Sequence, residues 1–187
     1  MLVYAIRHGQ SENNAKGQWT GWFDAPLTEK GKNDAKKAGE YIKNIKFDKV
    51  YSSDLIRALQ TSENALPSET AEKNALLREI HLGNIEGKPI RCLTEEQNDW
   101  ARKHGYAKYG GETIEEFHER IRSFMETLET LDCENVAVFS HAGWIRGMLG
   151  EILGKRLSKK QLRCGNCTIA IFEYSDRNWQ LHSWINL

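Results

Sequence analysis

Two short apolar runs in this chain each end on a histidine, and that repetition limits the folds open to it. Leu2-Val3-Tyr4-Ala5-Ile6 closes on Arg7-His8-Gly9, and Val136-Ala137-Val138-Phe139-Ser140 closes on His141-Ala142-Gly143. Brief runs rich in Val, Ile, Tyr and Phe have the length and composition of buried strands. In an open α/β sheet, ligands gather at the carboxyl ends of the strands, so both histidines are expected to face one cleft. Core packing asks for no such pair. A single histidine at a strand end is usually a satisfied polar residue; the recurrence, joined to the arginine and glutamate below, points to chemistry.

The rest of the chain alternates between helical and strand periodicity. Residues 10–25 form a polar loop containing Gly and Trp, long enough to be functional. Thr28 is placed as the N-cap of a helix whose apolar positions Ala35, Ala38, Ile42 and Ile45 share one face. A strand is expected over 47–52, a helix over 54–65, and a brief strand near 75–77 leading into a loop through Gly87. The middle of the chain reads as mostly helical. Thr113-x-x-Glu116 is a capping box, and Ile114, Phe117, Ile121, Phe124, Leu128 and Leu131 follow at spacings of three and four. A helix over about 144–153 follows the second histidine. Two final strands, 167–174 and 179–185, flank the turn Ser175-Asp176-Arg177-Asn178. This order predicts an α/β fold, a three-layer α/β/α sandwich around a mostly parallel sheet. With no repeat or linker in view, residues 1–187 are expected to form one domain.

Bulk properties narrow the function. Lys and Arg total 26 and Asp and Glu total 26, so the formal net charge is zero. Nucleic-acid and membrane-surface binding draw on excess positive charge, and neither partner is expected. No apolar stretch approaches the roughly 20 residues that span a bilayer. The N-terminus lacks a signal peptide's charged-then-apolar order, which points to the cytoplasm. Of the four cysteines, Cys164 and Cys167 have C-x-x-C spacing. Zinc needs further ligands, and no second C-x-x-C or H-x-x-x-H accompanies them. A redox pair would open a helix after a strand, whereas this pair precedes the strand-like Thr168-Ile169-Ala170-Ile171-Phe172. Reduced thiols near a strand start are expected.

Four segments carry the candidate chemistry: Arg7-His8-Gly9 with Asn14; Ser53-Asp54-Leu55-Ile56-Arg57-Ala58; Leu77-Arg78-Glu79-Ile80 with Gly83 and Glu86-Gly87; and Ser140-His141-Ala142-Gly143. A phosphoryl group spreads charge over three oxygens, so its transfer needs positioning and electrostatic stabilisation. Arginine supplies a planar fork that stays charged. Two arginines beside His8 should disfavour the imidazolium and keep a lone pair available. Gly9 removes a side chain where backbone and phosphate must come close.

In these segments, and in Gly21-Trp22-Phe23-Asp24-Ala25-Pro26-Leu27-Thr28-Glu29-Lys30-Gly31, the chain resembles the histidine phosphatase superfamily, in its phosphoglycerate mutase-like branch. The resemblance runs from the first strand to the final hairpin. It implies that His8 attacks phosphorus and becomes phosphohistidine. Arg7, Arg57 and His141 would hold the equatorial oxygens, with Asn14 and the backbone amide of Ala142. Glu79 is the candidate acid and later base: a carboxyl beside a phosphate dianion is raised in pKa by like charge. The alternative for Glu79 is an ion pair with Arg78 or a lysine, and Glu86 is a stand-in. The loop with Thr20 and Gly21 would border the substrate, leaving Trp19 and Trp22 as an aromatic wall or as a core cap. Glu112 either reaches the cleft or complements a helix dipole. No metal or other cofactor is expected, since arginine and histidine supply the positive charge. His81, His104, His118 and His182 form no ligand pattern.

The same residues serve hydrolysis of a phosphomonoester or phosphate movement on a phosphoglycerate. The glycolytic mutases carry extra segments between the acid and the second histidine, and the span from Glu79 to His141 leaves little room for them. With no tail expected to close the site, a phosphatase acting on a small phosphomonoester is favoured over a mutase. The third possibility, a module that only binds phosphate, would be signalled by loss of the nucleophile, an arginine or the acid. None is missing. Ala142 departs from the glycine many relatives carry there, and little harm is expected unless its φ is positive. The Gly-Gly-Glu-Thr segment resembles α-ribazole phosphatase-like and broad-specificity members alike.

Overall fold

The computed structural model describes residues 1–158 and 160–187. Among them, β1 (Leu2–Arg7), β2 (Lys49–Ser52), β3 (Glu72–Lys73), β4 (Asn135–Ser140), β5 (Ile169–Ser175) and β6 (Asn178–Ile185) form one sheet in the order β3-β2-β4-β1-β5-β6. β3, β2, β4 and β1 run parallel, β5 pairs antiparallel with β1, and β6 pairs antiparallel with β5. β1 and β4 lie centrally, covered on both faces, which is why they read as unbroken apolar runs.

Alternate residues of these strands point to opposite faces and divide the core in two. Val3, Ala5, Val136, Val138 and Phe172 pack with Phe117, Ile121 and Phe124 of α5 (Ile114–Glu129) and with Trp144 and Met148 of α6 (Ala142–Leu153). On the other face Tyr4, Ile6, Ala137, Phe139 and Ile169 meet Ala35, Ala38 and Ile42 of α2 (Glu29–Ile42) and Ala65 of α3 (Ile56–Ala65). This is the three-layer α/β/α arrangement expected. The anticipated N-cap and capping box are both present: Thr28 accepts from Gly31 N, and Thr113 and Glu116 cap α5 reciprocally. A satellite cluster of Leu82, Ile85, Leu93, Ala101 and Tyr106, with Trp19 against it, joins the loop after β1 to α4 (Glu95–His104).

One expected element is replaced. Ala75–Leu77 is a 3₁₀ turn, and the short strand is Glu72–Lys73 just before it. The apolar Ala-Leu-Leu run imitates a strand, but the Asn74 side chain accepts from Leu76 N at 2.9 Å and starts a turn. Several boundaries also move by one or two residues, with β2 starting at Lys49, α3 at Ile56, α6 at Ala142 and β5 at Ile169. Ile45 lies past the end of α2, and α1 (Glu12–Ala15) forms inside the loop after β1, capped by Ser11 and Asn14.

Candidate active site

Strand register sets the site. Arg7 pairs with Ser140 and Ser52 pairs with Phe139, so β2, β4 and β1 end nearly level. The next residues, Ser53, His141 and His8, therefore emerge side by side. His8 N donates to Ser140 O and Ser53 N to Phe139 O, each at 2.9 Å, which carries the ladder one step past the strands. The two imidazoles stand 5.1 Å apart between centroids.

The protonation of His8 follows from its neighbour. Its Nδ1 lies 2.7 Å from the carbonyl of Gly9. A carbonyl only accepts, so Nδ1 carries the proton and Nε2 keeps its lone pair. Burial, then the charges of Arg57 and Arg7, hold His8 well below the ordinary histidine value. Gly9 permits this geometry: a Cβ there would stand 2.9 Å from the backbone carbon of Gly31, and Gly9 N reaches Thr61 Oγ1 at 3.0 Å.

His141 is fully buried, and its Nε2 lies 2.9 Å from Ser53 Oγ. Among the described residues that hydroxyl has no acceptor for its own hydrogen other than Nε2, so the hydrogen is assigned there. The proton of His141 then sits on Nδ1, which has no partner among the described residues. Burial and the charge of Arg57 lower its pKa as well. Arg57 opens α3, fully buried; its Nη1 and Nη2 donate to the carbonyls of Phe23 and Gly21 at 3.1 and 2.7 Å. Burial pushes its pKa down to about 10, which leaves it charged at neutral pH. Arg7 Nη1 donates to Cys164 O at 2.7 Å. The Nε atoms of Arg7 and Arg57 are, like His141 Nδ1, buried without a partner among the described residues. Three unspent donors, two of them on charged arginines, are an excess of positive charge that suits an anion.

Glu79 reaches the same end of the sheet from the segment after the 3₁₀ turn. Its Oε2 accepts from Gly143 N at 2.9 Å, two residues beyond His141. Arg78 pairs instead with Asp54, at 2.7 and 2.5 Å, so the ion pair considered for Glu79 belongs to its neighbour. Asn14 Oδ1 caps Ser11 N and receives Asn166 Nδ2 at 3.4 Å, and Asn166 also donates to the His8 carbonyl at 3.1 Å. Ala142 opens α6, and its φ is not positive. The Thr20 carbonyl accepts from Phe23 N in a turn that delivers the Gly21 carbonyl to Arg57.

Other candidates sit elsewhere. Glu86 Oε1 accepts from Trp22 N and Leu82 N at 2.8 and 2.9 Å, tying two loops together. Glu112 pairs with Arg120 at 2.7 Å. Trp22 donates to Glu79 O at 2.7 Å, stacks on His81 and lies under Arg78, while Trp19 packs against the satellite cluster. His118 meets Glu151, and His182 lies 3.7 Å from Glu173. Cys164 to Cys167 act through the Cys164 carbonyl and Asn166; burial pushes the Cys167 thiol up to about 12, which makes it a poor nucleophile. Among the described residues no three His, Cys, Asp or Glu groups gather as a metal-holding set, and no helix is long and apolar enough to cross a membrane.

Sequence reasoning gave no role to Ser53, Thr61, Asn166 or Arg120. Ser53 was within reach, because it directly follows a strand in one of the four segments. Thr61 lies one turn from Arg57 and donates to its carbonyl at 2.6 Å, a contact that helical spacing suggests.

Comparison with known proteins identifies the family and the fold. The family model described as "Histidine phosphatase superfamily (branch 1)" matches residues 3–187. A relative in Salmonella paratyphi A named "Probable phosphoglycerate mutase GpmB" is 30% identical over 194 residues, covering 99% of this chain and 90% of its own. The crystal structure of TTHB049 from Thermus thermophilus superposes with a TM-score of 0.79 at 28% identity, each chain covered in full. The Escherichia coli K-12 structure titled "a putative alpha-ribazole-5'-P phosphatase" shares the fold, with a TM-score of 0.84 at 23% identity, covering 100% of this chain and 96% of its own. The chain belongs to branch 1 of the histidine phosphatase superfamily.

Proposed function

We propose that the protein is a phosphomonoesterase that works through a phosphohistidine on small phosphorylated metabolites. One observation carries this reading: His8 has its Nδ1 proton committed to the Gly9 carbonyl and feels the charges of Arg57 and Arg7, while the Nε groups of those arginines and His141 Nδ1 have no partner among the described residues. An incoming phosphoryl group would satisfy those donors and meet the Nε2 lone pair at once. His8 Nε2 forms the N–P bond as the P–O bond to the leaving group breaks. The released electron pair stays on the leaving oxygen, which takes the proton of the Glu79 carboxyl. Water then attacks phosphorus, gives its proton to Glu79 and returns the N–P electrons to His8. Arg7, Arg57 and His141 hold the equatorial oxygens, helped by Asn14 and the amide of Ala142, and the Thr20–Gly21 turn borders the phosphate. Such preorganised donors are worth about 10²–10³ in rate each. The residues already present supply the positive charge, so the reading needs no metal.

The name of the Salmonella relative favours a second reading, phosphate movement on a phosphoglycerate. Both readings predict acid-labile, base-stable phosphate on the wild type and none on His8→Ala. Label that survives in His8→Ala would remove His8 as the nucleophile and overturn both readings as stated, whereas wild-type protein that takes up none would leave a phosphate-binding module. Product analysis with 3-phosphoglycerate then separates them: inorganic phosphate marks the esterase, 2-phosphoglycerate the mutase.

A further inference from the structure

Glu79 lies outside any helix or strand, on a segment whose carbonyls have no ladder to join. Loops of that kind are normally mobile, yet a proton donor must be held to within a fraction of an ångström. Trp22 Nε1 holds the Glu79 carbonyl at 2.7 Å and Trp144 Nε1 the Leu76 carbonyl at 2.9 Å, and the remaining hold, which ties these carbonyls together, comes from α5. Arg120 Nη1 donates to Leu76 O at 2.9 Å and to Arg78 O at 3.0 Å, and Nη2 donates to Glu79 O at 3.1 Å. Its Nε and Nη2 engage both oxygens of Glu112, at 2.7 and 2.9 Å. A guanidinium has five N–H donors, and every one is spent.

Glu112 completes the clamp. Its Oε2 also accepts from His81 N at 2.8 Å, and its own N donates to His81 O at 3.0 Å. The backbone is therefore fixed on both sides of Glu79. Both side chains are largely enclosed, at 16% and 14% exposure. Arg120 itself is anchored because its neighbours Phe117 and Ile121 lie in the core. Among the described residues no hydrogen bond joins Arg120 to the imidazoles or to the Glu79 carboxylate, so its influence passes through the main chain.

We infer that Arg120, braced by Glu112, is a positioning residue that sets where the Glu79 carboxyl stands for proton transfer; this rests on the acid role proposed for Glu79. Lysine cannot substitute, because a point ammonium has three donors and no planar fork.

The test is rapid-quench capture of phosphoenzyme with p-nitrophenyl phosphate, whose leaving group departs without a proton, and with n-butyl phosphate, whose leaving group needs one. Arg120→Ala is expected to slow the n-butyl burst at least ~10-fold more than the p-nitrophenyl burst, a floor below the roughly 10²-fold that a 1 Å displacement of a catalytic group can cost. Glu79→Gln should show the same selectivity, and adding Arg120→Ala to it should produce no further selective loss. Arg120→Lys should keep the circular dichroism of the wild type without restoring the ratio. Glu112→Gln should move it in the same direction. Equal slowing of both bursts by Arg120→Ala, or losses that add in the double variant, would reduce Arg120 to a structural residue. If Arg120→Ala fails to fold, Arg120→Lys and Glu112→Gln carry the comparison, and equal slowing in both overturns the inference. Absence of selectivity in Glu79→Gln itself would instead remove the acid assignment on which the inference rests.

Discussion

Gly143→Ala should separate the proton-transfer step from the rest of the site. A Cβ built at Gly143 overlaps Glu79 Oε1 and stands 2.9 Å from its Cδ and 3.1 Å from Oε2. The atoms it meets are the far end of a flexible side chain, so the clash is relieved by moving the carboxylate rather than the backbone. Reaching ordinary contact takes a retreat of roughly 1 Å, a displacement that costs on the order of 10²-fold in rate for a positioned group. The 2.9 Å bond from Gly143 N to Oε2 would be stretched, at about 1.5–3 kcal/mol for a charge-assisted bond. Against that, alanine in the first turn of α6 recovers up to ~1 kcal/mol of helix propensity over glycine. The expected outcome is a thermal midpoint shifted by only a few degrees, with kcat/KM for n-butyl phosphate down by about 10²-fold. Turnover of n-butyl phosphate within about threefold of wild type, with Glu79 visibly displaced in a crystal structure, would refute an acid role for that carboxylate.

Two further perturbations probe the anion cradle. Arg57→Ala removes a buried guanidinium and strands the Gly21 and Phe23 carbonyls, so kcat/KM should fall by at least ~10²-fold; a loss below about tenfold would put Arg57 outside the phosphate pocket. Stability should also depend on the two histidines. His8 and His141 have folded-state pKa values well below 6.5, so as pH falls through about 6.5 the unfolded chain takes up protons that the folded chain refuses. Their contribution is therefore complete above that pH and declines below it, by up to about 1.4 kcal/mol per pH unit for each histidine. Urea unfolding between pH 7.5 and 5.0 should show that slope in the wild type and a flatter one in His8→Gln/His141→Gln. Parallel slopes would mean the imidazoles are protonated in the folded protein.

Neighbour chemistry along the chain decided the strands β1 and β4, since burial on both faces leaves a continuous apolar run. It decided α5 as well, since three-and-four spacing has no other use. It also placed His8, Arg57 and His141 at element ends, where a cleft lies in this kind of sheet. Tertiary structure alone decided that Arg7 and Ser140 stand in register and bring the two imidazoles to 5.1 Å. The same is true of the Glu86 tie between two loops, the Cys164 carbonyl under Arg7, and the turn at Ala75–Leu77 that composition disguises as a strand. Arg120 shows the reason most clearly. On α5 it reads as one more surface charge, and its carbonyl partners lie 41 to 44 residues away in sequence. Periodicity records which way a residue faces. A hydrogen bond to a distant loop depends on where the packed elements bring that loop, and no local pattern carries that information.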